Sequence, residues 1–157
     1  MEITGGKFLT FLLGGEEYGI PIHRIKEIIG IMDITSIPRS PAFIKGVINL
    51  RGKIIPVMDL RLKFEMDRKE YTQRTCIIVV ELEAHGETRL MGIVVDTVSE
   101  VVNIHKNDIE LPPQYGSLVD TTFLTGMGKV KGKVVLLLDI EKVLSSEEKV
   151  QLSEIGG

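Results

Sequence analysis

Two stretches of this chain are written to one pattern. Phe43 to Phe64 reads FIKGVINLRGKIIPVMDLRLKF, and eighty residues later Phe123 to Leu144 reads FLTGMGKVKGKVVLLLDIEKVL. Phe43, Gly46, Gly52, Lys53 and Asp59 recur as Phe123, Gly126, Gly132, Lys133 and Asp139, and Arg51 stands opposite Lys131. Between these, apolar faces apolar at Ile44/Leu124, Leu50/Val130, Ile54/Val134, Ile55/Val135, Val57/Leu137, Met58/Leu138 and Leu60/Ile140. A second pair lies upstream: YGIPIHRIKEI from Tyr18 and MGIVVDTVSEV from Met91 share Gly19/Gly92, Ile20/Ile93 and Glu27/Glu100 at an offset of 73. The changed offset puts a length difference in the loops, where insertion is tolerated. A chain that repeats itself in this way folds as two copies of one small unit.

Each copy opens on a strand, KFLTFLL or TCIIVVEL, and continues through a turn, GGEEYG or EAHGETRLMG, to a bent strand, a loop, a hairpin and a short helix. Short strands at close spacing, punctuated by Gly and Pro, predict small closed barrels, because closure removes strand edges. A length of 157 residues suffices for two such subdomains on one core. The expected division is 7–65 for the first half, 66–74 for a polar linker, 75–144 for the second half and 145–157 for a short C-terminal helix or tail, with strand exchange between the barrels left open.

The hairpin is the best-defined piece. Val47, Ile48 and Leu50 lead into Arg51-Gly52, and Ile54, Ile55 and Val57 lead out, with Gly52 expected to supply the positive φ of a tight turn. Pro56 has no amide hydrogen, so the return strand is expected at an edge or paired on one side only there. Asp59 and Asp139 suit helix N-caps, and Ser145 with Glu148 forms a capping box. Ile22, Ile25 and Ile28 fit a helix or a turn followed by a strand, and the β-branched counterpart VVDTVSEVV favours the second. Leu136, Leu137 and Leu138 predict a strand buried on both faces, between a barrel interior and the terminal helix.

The chain offers little for catalysis. His23, His85 and His105 are scattered without a second ligand at metal spacing, and the caps already account for Asp59 and Asp139. GMGKVKGK lacks G-x-G-x-x-G spacing and runs into a strand, not a helix N-terminus. Lys45, Arg51, Lys53, Lys129, Lys131 and Lys133 suggest a basic patch, so a small-barrel nucleic-acid binder is the competing reading. Against it stand a net charge of −3 and only 5 Phe and 3 Tyr to stack bases. The single cysteine, Cys76, reads as a small buried hydrophobe in a reducing compartment. No apolar run approaches membrane-spanning length, and the N-terminus lacks a basic region followed by an apolar core. The expectation is a cytoplasmic module that binds other proteins.

EEYGIPIHRIKEI, SPAFIKGVINLRGKIIPVMDLRLKF, MGIVVDTVSEV and FLTGMGKVKGKVVLLLDIEKVL together resemble the CheW family, the coupling proteins of bacterial chemotaxis, over Lys7 to Glu148. The resemblance implies a mainly β fold of two SH3-like five-stranded barrels sharing a core, with a few short helices. It implies a scaffold without catalysis, cofactor or metal, joining chemoreceptor cytoplasmic tips to the regulatory domain of the histidine kinase CheA. Such a protein is associated with membrane-bound receptor arrays through its partners, without inserting into the bilayer or binding nucleic acid. Carried over by position, Ile25, Glu27, Ile28, Asn49, Arg51, Leu62 and Val101 would bind the receptor, Asn49 either touching it or bonding the turn backbone. Ile34, Ile37 and Phe43 would face the kinase, with Tyr115 in LPPQYGSL on a second kinase surface.

Overall fold

The computed structural model describes residues 4–84, 86–112, 122–145 and 147–149. The strands of the first copy are β1 (Gly6–Leu13), β2 (Glu16–Pro21), β3 (Ile25–Gly30), β4 (Ile44–Leu50) and β5 (Lys53–Asp59), followed by the single helical turn α1 (Leu60–Lys63). Those of the second are β6 (Cys76–Ala84), β7 (Glu87–Val95), β8 (Thr97–Ile104), β9 (Ile109–Glu110), β10 (Leu124–Val130) and β11 (Lys133–Leu138), followed by α2 (Ile140–Val143). A 3-10 turn at Ile22–Arg24 precedes β3, as the turn-then-strand reading expected. The strands beside the glycine turns are longer than the sequence suggested: β2 begins directly after Gly14-Gly15, and β6 and β7 run to within two residues of each other.

The strands form two sheets, ordered β3-β6-β7-β5-β4 and β8-β1-β2-β11-β10-β9. Matched through the repeat, the first five positions of the two orders are the same, and the two-residue β9 is the addition. Neither sheet is built from one copy. The β1–β2 hairpin sits between β8 and β11, and the β6–β7 hairpin sits between β3 and β5. Each copy therefore lends its first hairpin to the other's sheet. The lent hairpin joins through one antiparallel ladder, β1 on β8 or β6 on β3, and one parallel ladder, β2 on β11 or β7 on β5.

The repeated residues are the ones this geometry needs. A Cβ on Gly46 would come within 1.9 Å of the Thr35 carbonyl oxygen, where the chain leaving β3 closes on β4 through reciprocal Thr35–Val47 backbone bonds of 2.9 Å. Gly126 meets Ile109 and the Glu110 carbonyl in the same place, at 2.6 and 3.0 Å. Both glycines follow a bulge in their hairpins. Asp59 caps α1 by accepting the amides of Arg61 and Leu62, and Asp139 caps α2 by accepting that of Glu141. The amides of the two aspartates donate to the Phe43 and Phe123 carbonyls at 2.7 and 2.8 Å.

Strand alternation divides the apolar residues among three cores. Ile48, Ile55, Val57, Ile77, Val79 and Val94 fill the first sheet's interior, and Phe8, Ile104, Ile109, Val135 and Leu137 fill the second's. The opposite faces, including Leu9, Phe11, Met58, Ile78, Val80, Ile93 and Leu138, meet in a larger shared core with Leu60 and Ile140 of the helical turns. A line of stacked rings, Phe11, Tyr18, Phe64 and Phe123, crosses it at centroid spacings of 5.9, 5.9 and 4.6 Å. β11 is buried on both faces as expected, with Val135 and Leu137 in the second interior and Leu138 in the shared core; most of the terminal segment expected against it lies outside the described residues. β5 is an inner strand, and Pro56 is tolerated because pairing to β7 begins one residue later, at Val57. Cys76 is half-buried against the shared core.

The polar linker is anchored and not a free spacer. The Tyr71 hydroxyl donates to Asp59 Oδ2 at 2.9 Å, Arg61 Nε donates to the Asp67 carbonyl at 3.1 Å, and Met66 packs on the shared core. At the other end the Ser145–Glu148 capping box forms, with Ser145 Oγ accepting from the Glu148 amide and Glu148 Oε1 from the Ser145 amide.

Candidate functional site

The β4–β5 and β10–β11 hairpins end in two-residue turns with positive φ at both central positions: 53° at Arg51 and 88° at Gly52, 51° at Lys131 and 76° at Gly132. Glycine was expected to carry this alone; instead a long cation shares it at each tip. That is the geometry of a type I′ turn, whose twist matches the flanking strands. Its backbone points the first side chain away from the sheet into solvent. Asn49 Oδ1 accepts the Gly52 amide at 2.7 Å and so fixes the first tip. Of the two roles the sequence left open for Asn49, the structure displays the bond to the turn.

Arg51 does not wave freely. Its guanidinium bonds both carboxylate oxygens of Glu27 on β3, Nη1 to Oε2 at 3.3 Å and Nη2 to Oε1 in a shorter contact. The hydrogen bond and charge of Glu27 raise the already high Arg51 pKa, so the guanidinium keeps its proton. Ile28, the next residue on β3, is 42% exposed, and Ile54 on β5 is 46% exposed. Ile25 begins the same strand but is half-buried against the shared core. Leu62 is half-buried on α1, where its amide donates to Asp59.

The structure thus brings Glu27, Asn49 and Arg51 together, with Ile28 next to Glu27 on the strand. Val101 belongs to β8 in the other sheet, next to Glu100, whose carboxylate takes the Lys131 ammonium at 3.3 Å. It is 52% exposed, so neither Val101 nor Ile28 is an ordinary core residue. The pairing of Lys131 with Glu100 was not foreseen, although the sequence identity of Glu27 and Glu100 in the repeat was a signal that could have found it. Of the remaining positions, Ile34 packs on the first sheet's interior, Phe43 on the shared core beneath the Lys63 ammonium, and Ile37 is half-buried with its carbonyl accepting from Ser40 Oγ. Tyr115 lies outside the described residues.

Three of the six cations of the suspected basic patch are paired: Arg51 with Glu27, Lys131 with Glu100, and Lys129 with Glu110 at 2.7 Å. An acidic partner beside each of these three reduces the positive field they present to a phosphate backbone. Among the described residues no group of three or more His, Cys, Asp or Glu side chains is placed to hold a metal ion, and no helix is long and apolar enough to cross a membrane.

Residues 7–148 match the family model of the CheW-like domain. The chain is 43% identical over 155 residues to the chemotaxis protein CheW of Klebsiella aerogenes, spanning 99% of this chain and 91% of that protein. It is 32% identical over 145 residues to the chemotaxis protein CheW of Rhizobium meliloti, spanning 92% and 91%. Among solved structures it is similar to the crystal structure of the scaffolding protein TtCheW from Thermoanaerobacter tengcongensis, with a TM-score of 0.81, 36% identity, and coverage of 92% of this chain and 97% of that one.

Proposed function

Since the chain belongs to the CheW-like domain family, we propose that it is a non-catalytic chemotaxis adaptor that couples chemoreceptor cytoplasmic tips to the histidine kinase CheA. It works in the cytoplasm at membrane-bound receptor arrays, held there by its partners. The observation that carries the receptor half of this reading is the Arg51 tip: a guanidinium 70% exposed yet held by Glu27, on a turn braced by Asn49, with exposed Ile28 and Ile54 on the strands that carry Glu27 and the turn. A planar donor fork with exposed aliphatic side chains on the same strands suits a helical partner that offers an apolar face and a carboxylate or a free carbonyl. Ile25, Leu62 and Val101 extend the receptor surface. The kinase regulatory domain takes a separate face at Ile34, Ile37 and Phe43, with Tyr115 on a second kinase contact.

The test is a pull-down with a receptor-tip fragment and with the kinase regulatory domain, beside a single-stranded nucleic acid, at two salt concentrations. Receptor and kinase binding that depends only modestly on salt is expected. Capture of nucleic acid alone, falling steeply with salt, would replace this reading with the small-barrel nucleic-acid one.

A further inference from the structure

The two barrels are closed differently at the end where the capping aspartates lie. In the first, residues of the linker lie across the opening. The Tyr71 hydroxyl donates to Asp59 at 2.9 Å, its ring sits under the Lys45 ammonium at 5.7 Å and packs on that barrel's interior, and only about 20 Å³ is left among Asp59, Tyr71, Thr75, Val94 and Asp96. Burial, then the Asp59 charge and hydrogen bond, raise the Tyr71 pKa far above the ordinary tyrosine range, so the phenol stays a donor.

Among the described residues the same place in the second barrel is open. A cavity of about 340 Å³ is lined there by Asp139, Thr125, Pro21, His23 and Gly6, over an apolar floor of Phe8, Ile109 and Leu137. The correspondence runs residue by residue. Asp139 stands for Asp59, Thr125 for Lys45, Pro21 for Val94 and His23 for Asp96 by the sequence repeat. Gly6 stands for Thr75 by register, because Gly19 pairs with Thr10 as Gly92 pairs with Val79. The floor is the second barrel's interior, as the floor under Tyr71 is the first's. The volume falls within the range of small-ligand sites and exceeds what one phenol ring needs.

We propose that this cavity is a docking site for an extended, tyrosine-bearing segment of a partner chain, which enters as residues 67–72 do in the first barrel and sets its phenol against Asp139. The molecule itself displays the occupant's chemistry: an aromatic ring for the apolar floor and a hydroxyl for the carboxylate. The site is separate from the Arg51 tip and stands whether or not that tip binds a receptor.

The probe is the chain's own template, a peptide of the sequence Asp67 to Arg74, titrated into isotope-labelled full-length protein while amide resonances are followed. Saturable shifts at Thr125, Ile22 and Gly6 are expected in the millimolar range. The Tyr71→Phe peptide should bind roughly tenfold more weakly, the loss of a hydrogen bond to a charged acceptor. Asp139→Asn in the protein should weaken the tyrosine peptide similarly while the fold persists, because Asn caps a helix as well as Asp does. Absence of shifts at the cavity, shifts confined to Thr75 and Val94 of the first barrel, or equal binding by the Tyr and Phe peptides would overturn the proposal.

Discussion

The two hairpin tips share a backbone and differ in chemistry. Both carry a cation at positive φ, a following glycine and an acid on the neighbouring strand. At the first tip a planar fork grips both oxygens of Glu27, which is only 28% exposed, and Asn49 braces the turn. At the second an ammonium makes one 3.3 Å contact with Glu100, which is 51% exposed, and the position of Asn49 is taken by Lys129, which pairs instead with Glu110. Duplication kept what closes the barrel and let the exposed face diverge. A pair that is solvated on both sides contributes little and holds nothing in place, so the first tip is a presented group and the second is a soluble turn.

The shared part of the comparison carries the largest expected effects. Gly46→Ala should cost about 4 kcal/mol or more, since its Cβ would meet a backbone oxygen from a positive-φ position. Gly126→Ala should cost roughly 1–3 kcal/mol, because the first atom met there is a side-chain methyl that can shift. Denaturant titration of both measures this, and equal losses would mean that the neighbour each Cβ meets, backbone or side chain, does not set the cost. In the same assay Leu137→Ala should cost roughly 2–5 kcal/mol, and an unchanged midpoint would remove β11 from the second interior.

The next effect is in binding and separates the tips. Arg51→Ala and Lys131→Ala should each change stability by no more than about 0.5 kcal/mol. Only Arg51→Ala should weaken receptor-tip binding, by about 2 kcal/mol or some thirtyfold, leaving kinase binding intact. Titration calorimetry on the two variants decides it: matching affinities would reduce both tips to solvated turns.

Solvated tip pairs also contrast with the half-buried pairs at the C-terminal end. Glu141 receives Lys149, Arg24 and the Glu83 amide, and Glu148 receives Lys63 and the Ser145 amide. Burial works against both charged carboxylates, but these donors outweigh it, and both pKa values lie below the ordinary 4.5. A depressed folded pKa contributes stability above the unfolded value and loses it as pH falls through the folded one. Thermal unfolding temperatures should therefore hold from neutral pH to near 4.5 and decline below, with a shallower decline in Glu141→Gln. A decline equally steep in that variant would assign the acid sensitivity elsewhere.

The smallest effect tests the turns themselves. Lys131→Asn should raise stability by about 0.5 kcal/mol, because Asn before Gly suits a type I′ turn better than a long side chain held at φ 51°. A loss would show that the Lys131–Glu100 contact outweighs the backbone preference.

Much of this was legible in the sequence, and the limits are physical. The duplicated hairpins, the Asp59 and Asp139 caps and the Ser145–Glu148 box are local patterns, readable from residues a few positions apart. The exchange of hairpins was not, because each copy offers the same ladder edges and either partner satisfies the same alternation. Arg51 and Glu27 were both singled out, yet their union depends on how β3, bulged against β6, is aimed, which no spacing of 24 residues encodes. The exposure of Ile28 and Val101 likewise followed from which faces of β3 and β8 the lent hairpins left uncovered. The depth of Tyr71 was hidden by the polarity of its linker.

The exchanged hairpins also govern how the chain emerges from a ribosome. β1 and β2 are made first, but their outer neighbours β8 and β11 begin only at Thr97 and Lys133. Until then both edges of the nascent hairpin are unpaired and its apolar faces are open, a state prone to adding strands from other chains. The β3–β4–β5 meander likewise waits for β6 and β7 before its own sheet is complete. The first sheet can close only once β7 ends at Val95, and the second only once β11 ends at Leu138, so the hairpin made first waits longest for its partners. A ribosome that stalls in the polar linker releases an aggregation-prone fragment and not a smaller working module.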